Sequence, residues 1–521
     1  MTVGAQTTSG GARLVSVIEQ LVAAMGGKGA VEGAETEAIT ADGWRLHPGW
    51  GTDPGKPEKV AEFSYTLLED TVRPRYRLAL KAHTYLVPTE LNYLEVGNGS
   101  IGHVNGIDFM FDPRPVDVPI PSWRVATRQR HFDLTSPLRL ARKLLASDAD
   151  LTLGIADNEH PTDSLILREH GRPPVRMHMD QGTGLLSRAE VTEEHSPLGD
   201  TLVEVLFSDY RNVGTLQLPY RVSIRVNGVA VHDEVRASIQ VNARSSDADF
   251  AVPDQAVIDG SDQQVSFGQY STEWIMTYVF SGVRFYFDLQ TAPVSQGAVD
   301  IAPGVKIVLG PSHNTLVVEM PDHVVAVEAP LYDEYTRSAL TQVKAAFPGK
   351  PLKKVIVTHF HYDHVGGIRE FVADGGLTVL AAQGTVPFFE KVFQGPHTVH
   401  PDRLEGCPVQ VAVEGVIDSL ILPMADGGNL ELHHIRSDHA DGMLIVYLSK
   451  PKIVFESDIW NPTPQMPPPN SGRGRLPIQL CEAIETLHLE VDTVVGGHSG
   501  TDGKTMAHAA PFRYLKTAAG L

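Results

Sequence analysis

Residues 358–367 read Thr-His-Phe-His-Tyr-Asp-His-Val-Gly-Gly and gather three imidazoles and a carboxylate, His359, His361, Asp363 and His364, into one short turn. Imidazole nitrogen and carboxylate oxygen are the donors that zinc accepts, at about 2.0–2.2 Å. In an extended turn His359 and His361 stand two apart and project to the same side, so they can grip one ion together. Asp363 and His364 are adjacent, point differently, and suit a second ion beside the first. A single His-x-His pair is most often an ordinary surface feature. This density of ligands instead calls for two metals and for further donors from distant loops.

Three such donors follow in order. His439 lies in Ser437-Asp438-His439-Ala440-Asp441-Gly442, ahead of the apolar run Met443–Leu448. Asp458 follows Ile453-Val454-Phe455, and His498 follows Val494-Val495 within Gly496-Gly497-His498-Ser499-Gly500. Each sits at the end of an expected strand, where open α/β sheets collect their sites. Val355-Ile356-Val357 reads as a short buried strand and Val365-Gly366-Gly367-Ile368 leads into a helix, so the first cluster occupies a strand-to-helix turn. Four loops thus offer seven ligands, enough for two adjacent ions sharing one carboxylate.

A His-x-His-x-Asp-His turn followed by His, Asp and His in that order resembles the metallo-β-lactamase superfamily of hydrolases, over about residues 297–521. The resemblance implies that His359, His361 and His439 hold a first metal and that Asp363, His364 and His498 hold a second. Asp458 would bridge both, and Asp363 and Asp458 would be the catalytic carboxylates. An Asp at 458, where some true lactamases carry Cys, implies the dinuclear hydrolase pattern of glyoxalase-like, lactonase-like and phosphodiesterase-like members. Two zinc ions per chain are the default, although iron and manganese also suit nitrogen and oxygen donors. The expected reaction is attack by a metal-activated hydroxide on an ester, lactone or amide-type bond of a small organic substrate. Asp363 or a bound water would return the proton to the leaving group. The alternatives are a mononuclear iron oxidoreductase resembling persulfide dioxygenases, a phosphodiesterase or sulfatase, and a metal-stabilised binding protein.

The chain has 521 residues, too many for one ordinary domain, and its 42% hydrophobic content can fill substantial cores. A formal charge of −20 disfavours nucleic acid, whose phosphates want a basic face. The two cysteines, Cys407 and Cys481, provide neither a disulfide framework nor a thiolate metal site. The N-terminus lacks the basic and apolar stretches of a secretory signal, and nothing reaches membrane-spanning length. The expectation is a cytoplasmic protein with no membrane partner, a periplasmic mature form being the alternative.

Leu14, Ile18, Leu21, Val22 and Met25 mark one face of a leading helix that stops at Gly26-Gly27 and packs on its own domain. From Gly43 to Val252 the pattern changes to a period of two, as in Tyr76–Leu80, Leu202–Leu206 and Tyr220–Val226, with Asn-Gly turns at 105–106 and 227–228. This predicts a mainly antiparallel β domain over residues 1–252, interrupted by one helix near Pro137–Ala146. Segments 176–188 and 208–214 are similar to curved-sheet carrier domains related to bacterial lipoprotein chaperones. A scaffold, lid or homodimer-forming role is expected for this half. Residues 253–296, aromatic-rich over Ser266–Gln290, are read as bridging strands. Residues 297–521 then show strands Val305–Leu309, Thr315–Glu319 and Val324–Glu328 and a helix at Asp333–Ala346. The fold class is therefore α/β, an αββα sandwich in the C-terminal half behind an α+β, mainly antiparallel domain.

Other chemistry-bearing residues are set aside. His433 and His434 precede His439 on a strand and are not expected to ligate. His397 and His400 are expected to decorate a surface loop. The Pro-rich run Asn461–Pro469 reads as a stiff connector at the mouth of the site. Tyr362 either faces substrate or packs. Gly497–Gly500 is followed by Thr501, not the Gly that a serine nucleophile elbow requires.

Overall fold

The computed structural model describes residues 4–253, 297–498 and 508–521, apart from 48, 55, 86–87, 111–113, 121, 157–162, 311–312 and 472–473. From residue 254 on, the expected bridging strands at 253–296 therefore lie outside the described residues, as do Ser499, Gly500 and Thr501.

The N-terminal half is built on one 13-stranded antiparallel sheet. A first meander runs from Thr36–His47 through Glu58–Asp70, Arg75–Thr84, Thr89–Asn98 and Ile101–Ile107 to Val116–Ile120. A second runs from Asp150–Gly154 to Val229–Val241. The first strand of one meander pairs with the last of the other, Glu37 opposite Val241 and Arg45 opposite His232, which seals the two into a single sheet.

Alternation explains the sheet. In Arg75–Thr84 the side chains of Tyr76, Leu78, Leu80 and Ala82 are buried while Ala79 and Lys81 are exposed, so one face packs and the other meets water. The leading helix, Gly4–Ala24, lays Leu21 and Val22 against this core. Pro137–Leu145 forms as expected, capped by Ser136, whose hydroxyl accepts the N–H of Arg139. A helix that the sequence pattern did not announce, Ser122–Thr135, precedes it. Its mean hydropathy is low because it sends Arg124, Arg128 and Arg130 inward, onto Glu95, Asp108 and Glu193.

The C-terminal half is the expected four-layered αββα sandwich. A seven-stranded sheet runs Ala298–Ala302, Val305–Val308, Thr315–Glu319, Val324–Val327, Leu352–Ile356, Thr378–Ala382 and Ala412–Val416. A six-stranded sheet runs Ser419–Pro423, Asn429–His434, Leu444–Leu448, Ile453–Glu456, Thr493–Gly496 and Ala509–Pro511. Side chains sort by parity. Ile307, Leu316, Val318, Val325 and Ile356 share one core with Leu430, Leu432, Val446 and Phe455 of the other sheet. Their neighbours Val317, Ala326 and Val355 turn instead toward Leu340 and Val343 of the helix Asp333–Ala346. On the far side Ile445, Val454 and Val494 share a core with Leu480 and Ile484 of Leu476–Thr486 and Leu515 of Phe512–Ala519. Strands buried on both faces read as continuous apolar runs for this reason. Among the described residues, no helix is long and apolar enough to cross a membrane.

Candidate metal centre

The ends of the strands in both sheets converge on one place. The motif turn follows Leu352–Ile356, and its Tyr362–Val365 segment is a single helical turn. Two glycines let it sit there. A Cβ on Gly366 would fall 1.6 Å from the Leu331 carbonyl oxygen, and one on Gly367 would fall 1.9 Å from Thr336 Oγ1. The segment after Val324–Val327 is laced to the motif by Ala329 N–H to His364 O at 3.1 Å and Leu331 N–H to Asp363 O at 2.9 Å. Glu328, Leu331 and Asp458 all hold left-handed backbone, with φ of 78°, 69° and 65°. Such strain costs about 1–3 kcal/mol each and persists where surrounding contacts over-determine it, commonly at functional sites.

All seven side chains singled out in the sequence come together in two adjoining groups. His359, His361, His439 and Asp458 have ligand atoms within 4.8 Å of one another; His313, Asp363, His364 and His498 form the second group by the same measure. Asp458 belongs to both in practice. Its Oδ2 lies 3.0 Å from His439 Nε2, 3.5 Å from His359 Nε2 and 3.1 Å from His364 Nε2, while its Oδ1 lies 2.6 Å from His498 Nε2. In the second group Asp363 Oδ2 lies 3.1 Å from His313, 3.4 Å from His364 and 3.8 Å from His498, each at Nε2.

The spacing suits metal ions. Donors held at about 2.0–2.1 Å in a tetrahedron stand about 3.3 Å apart, and His359 Nε2 and His439 Nε2 are 3.3 Å apart. Two buried donor atoms, His361 Nδ1 and Asp363 Oδ1, have no hydrogen-bond partner. Buried polar atoms are rarely left so unless something else satisfies them. Three buried carboxylates, Asp363, Asp458 and Glu328, also crowd one small volume and require compensating positive charge.

Protonation is largely set for ligation. Burial, reinforced by His364, brings His359 down to about 3. Burial together with His439 and His359 holds His361 well below its ordinary value. Burial opposes the charge on Asp363 and Asp458, yet the surrounding imidazoles outweigh it and keep both carboxyls below their usual range. His364 goes the other way. Burial disfavours its cation, but Asp363, Asp458 and Glu328 together raise it well above the ordinary value.

Several partners of the cluster were not foreseen. His313 precedes the strand Thr315–Glu319, whereas every other donor follows a strand, so the end-of-strand rule passed over it. Its position is fixed by an isolated bridge to His498 and by Asn314, whose N–H donates to Gly497 O at 2.7 Å. Glu328 accepts His364 Nδ1–H at 2.5 Å and Thr358 N–H at 2.9 Å. Thr358 Oγ1 stands 2.9 Å from His359 Nδ1. The sequence signal for Glu328 was a charged residue closing the apolar strand Val324–Val327.

His433 pairs with Glu431, and His434 with backbone oxygens of Ile417 and Asp441; both lie outside the two groups. Tyr362 packs, ringed by His47, His195 and Phe388. The surface-loop expectation for His397 is overturned: it is 3% exposed, with Nδ1 3.0 Å from Glu194 and 3.6 Å from Asp402. Its loop docks on the N-terminal half instead, where Asp200 N–H donates to Pro396 O at 2.8 Å and Val399 N–H donates to Asp200 Oδ1 at 3.0 Å. His400 on the same loop is half-buried. Away from the cluster, a cavity of about 1130 Å³ opens on the N-terminal sheet beside Arg168, Arg172, Arg176 and Arg188. It does not reach the histidines, and Arg188 is paired with Glu190 and Glu204.

Residues 331–498 match the family model of the metallo-beta-lactamase superfamily. Among solved structures, a metallo-beta-lactamase from Pontibacter korlensis is 16% identical, covering 43% of this chain and 96% of its own with a TM-score of 0.30. One from Hirschia baltica is 18% identical, covering 44% and 96% with a TM-score of 0.31. A flavodiiron protein from Giardia intestinalis is 13% identical, covering 44% and 58% with a TM-score of 0.32. No curated protein matches the chain.

Proposed function

We propose, from the premise that residues 331–498 belong to the metallo-beta-lactamase superfamily, whose members are mostly metal-dependent enzymes, that this chain is a dinuclear metal-dependent hydrolase. Its substrate is a small organic molecule carrying an ester, lactone or amide-type bond. His359, His361 and His439 hold one ion, Asp363, His364 and His498 the other, and Asp458 serves both. One observation carries this reading: the two oxygens of Asp458 face different imidazoles, Oδ2 toward His439 at 3.0 Å and Oδ1 toward His498 at 2.6 Å.

A pair of divalent ions bound there supplies an activated water and polarises the oxygen of the bond to be cleaved. The chain does the rest. Glu328 and Thr358 hold the outer nitrogens of His364 and His359, which fixes ring orientation. His313 holds Asp363 through Oδ2 and leaves Oδ1 without a protein partner. We assign to the Asp363 carboxylate, or to a bound water, the return of a proton to the departing heteroatom.

The nitrogen and oxygen donor set also suits iron, and a mononuclear iron oxidoreductase of the same fold is the second reading. Elemental analysis of protein purified without added metal separates the two. About two zinc ions per chain supports the hydrolase; a single iron overturns it in favour of the oxidoreductase. A panel of generic ester, lactone, amide, phosphodiester and sulfate substrates, assayed with and without chelator, then assigns the bond. Chelator-insensitive turnover would sink the metal assignment.

A further inference from the structure

One wall of the metal centre comes from the other half of the protein. Beyond the strand Thr36–His47, the chain crosses onto the C-terminal half. The Trp50 indole stacks on the His361 imidazole, with centroids 5.7 Å apart and planes 20° apart. The Gly51 carbonyl accepts His361 Nε2–H at 2.9 Å, and the Thr52 carbonyl accepts the N–H of Asp441, two residues past His439, at 2.8 Å. His47 shapes this strap from within, since its Nδ1 accepts the Gly49 N–H at 2.9 Å and its ring meets Tyr362 edge-on at 5.6 Å. Gly49 lies so close that a Cβ there would fall 2.3 Å from the Tyr362 ring. Both His47 and Trp50 are buried.

The Gly51 contact fixes chemistry as well as position. A carbonyl only accepts, so Nε2 of His361 carries the proton and Nδ1 keeps its lone pair. Nδ1 is the atom left buried without a partner. In metal-ligating histidines, the group held by the second nitrogen sets the tautomer, the ring plane and the basicity of the ligating one. For His359 and His364 that group belongs to the C-terminal half, Thr358 and Glu328. For His361 alone of the three it is supplied from the N-terminal half.

We propose that Gly51 and Trp50 are positioning residues for His361, so that the first metal position is complete only when the N-terminal half is docked. The Gly51 carbonyl selects the tautomer and Trp50 holds the ring plane. This rests on His361 being a ligand, as read above.

The full-length protein tests it with zinc and cobalt as probes. Zinc affinity is measured by chelator competition, and the visible absorption of the cobalt-loaded protein reports the ligand sphere. Trp50→Ala and Gly49→Ala are expected to weaken one of the two zinc ions by about 10–100-fold and to alter the cobalt bands. Trp50→Phe, which keeps a stacking ring, should restore most of the affinity. Asp200→Ala, which removes side-chain bonds to Thr398 and Val399 but none of the strap's own contacts and leaves the halves docked, should leave affinity and spectrum unchanged. Unaltered zinc affinity and cobalt bands in both strap variants overturn the inference, and so does an equal loss in Asp200→Ala. If Trp50→Ala does not fold, Gly49→Ala decides, since it removes no side chain. Wild-type protein that takes up neither metal would sink the metal-centre reading itself, a result distinct from strap variants that match a metal-loaded wild type.

Discussion

The carboxylate of Glu328 receives the Nδ1–H of His364 at 2.5 Å, with both side chains buried and Glu328 in left-handed backbone. The same carboxylate takes the Thr358 N–H through its other oxygen. One residue thus fixes a histidine of the second group and the backbone just ahead of His359. In Glu328→Gln the amide offers one acceptor oxygen for two donors, so one bond is lost. Metal affinity is expected to fall about 10–100-fold with the fold retained. Metal content after dialysis, alongside a circular dichroism spectrum, checks this.

Asp458 is shared between both groups, so its loss should exceed that of any outer partner. Asp458→Ala and Asp458→Asn are expected to lower turnover by more than about a hundredfold and to reduce retained metal. The Asn variant matters because position 458 has a φ of 65°, which Asn tolerates better than Ala. A common loss in both variants therefore reports the carboxylate, not the backbone. Wild-type turnover in either would refute the bridging role.

The N-terminal half has its own acid sensitivity. Glu95 is fully buried, with Arg124 Nη2 at 2.6 Å, Arg128 Nε at 3.1 Å and the Tyr76 hydroxyl at 2.7 Å. Burial resists its charge, but the two guanidiniums prevail and bring it down from 4.5 to about 2. A depressed carboxyl contributes stability above its unfolded value, and that contribution is lost as pH falls through the folded value. Glu95→Gln should therefore cost about 3–5 kcal/mol at neutral pH. The difference from wild type should shrink between pH 4.5 and about 2. Denaturant unfolding at neutral pH and near pH 3 measures both.

The contact at His397 gives a mechanical prediction. Its imidazole faces Glu194 across the boundary between the halves, and removing it leaves that carboxylate buried. His397→Ala should cost about 1–3 kcal/mol and loosen docking without removing a donor of the metal centre. Thermal unfolding and limited proteolysis of the loop around Pro396 would register the change.

What the sequence disclosed follows from how each signal is written. The seven candidate ligands were legible because four crowd one turn and the other three stand beside short apolar runs, and the αββα layers were legible because those runs alternate with helices. The helix Asp333–Ala346 was expected at about these bounds. His313 was passed over because it precedes its strand, and Ser122–Thr135 because buried arginines erase its apolar face. His397 was misplaced because its partner Glu194 is distant in the chain and belongs to the other half. Trp50 and Gly51 carried no pattern at all. Periodicity records what a residue does for its own element, and docking between elements leaves no such trace.

The strand that ends at His47 lies in the middle of the 13-stranded sheet, between Glu58–Asp70 and Val229–Val241. On the ribosome, its second neighbour emerges only when the N-terminal half is nearly finished, and the motif turn emerges later still. Domains generally fold in the order of their synthesis. Folding in that order would set the mould against which His361 settles before that histidine leaves the exit tunnel. Deleting residues 36–47 would split this sheet along its midline instead of trimming an edge, and the C-terminal half would inherit the damage.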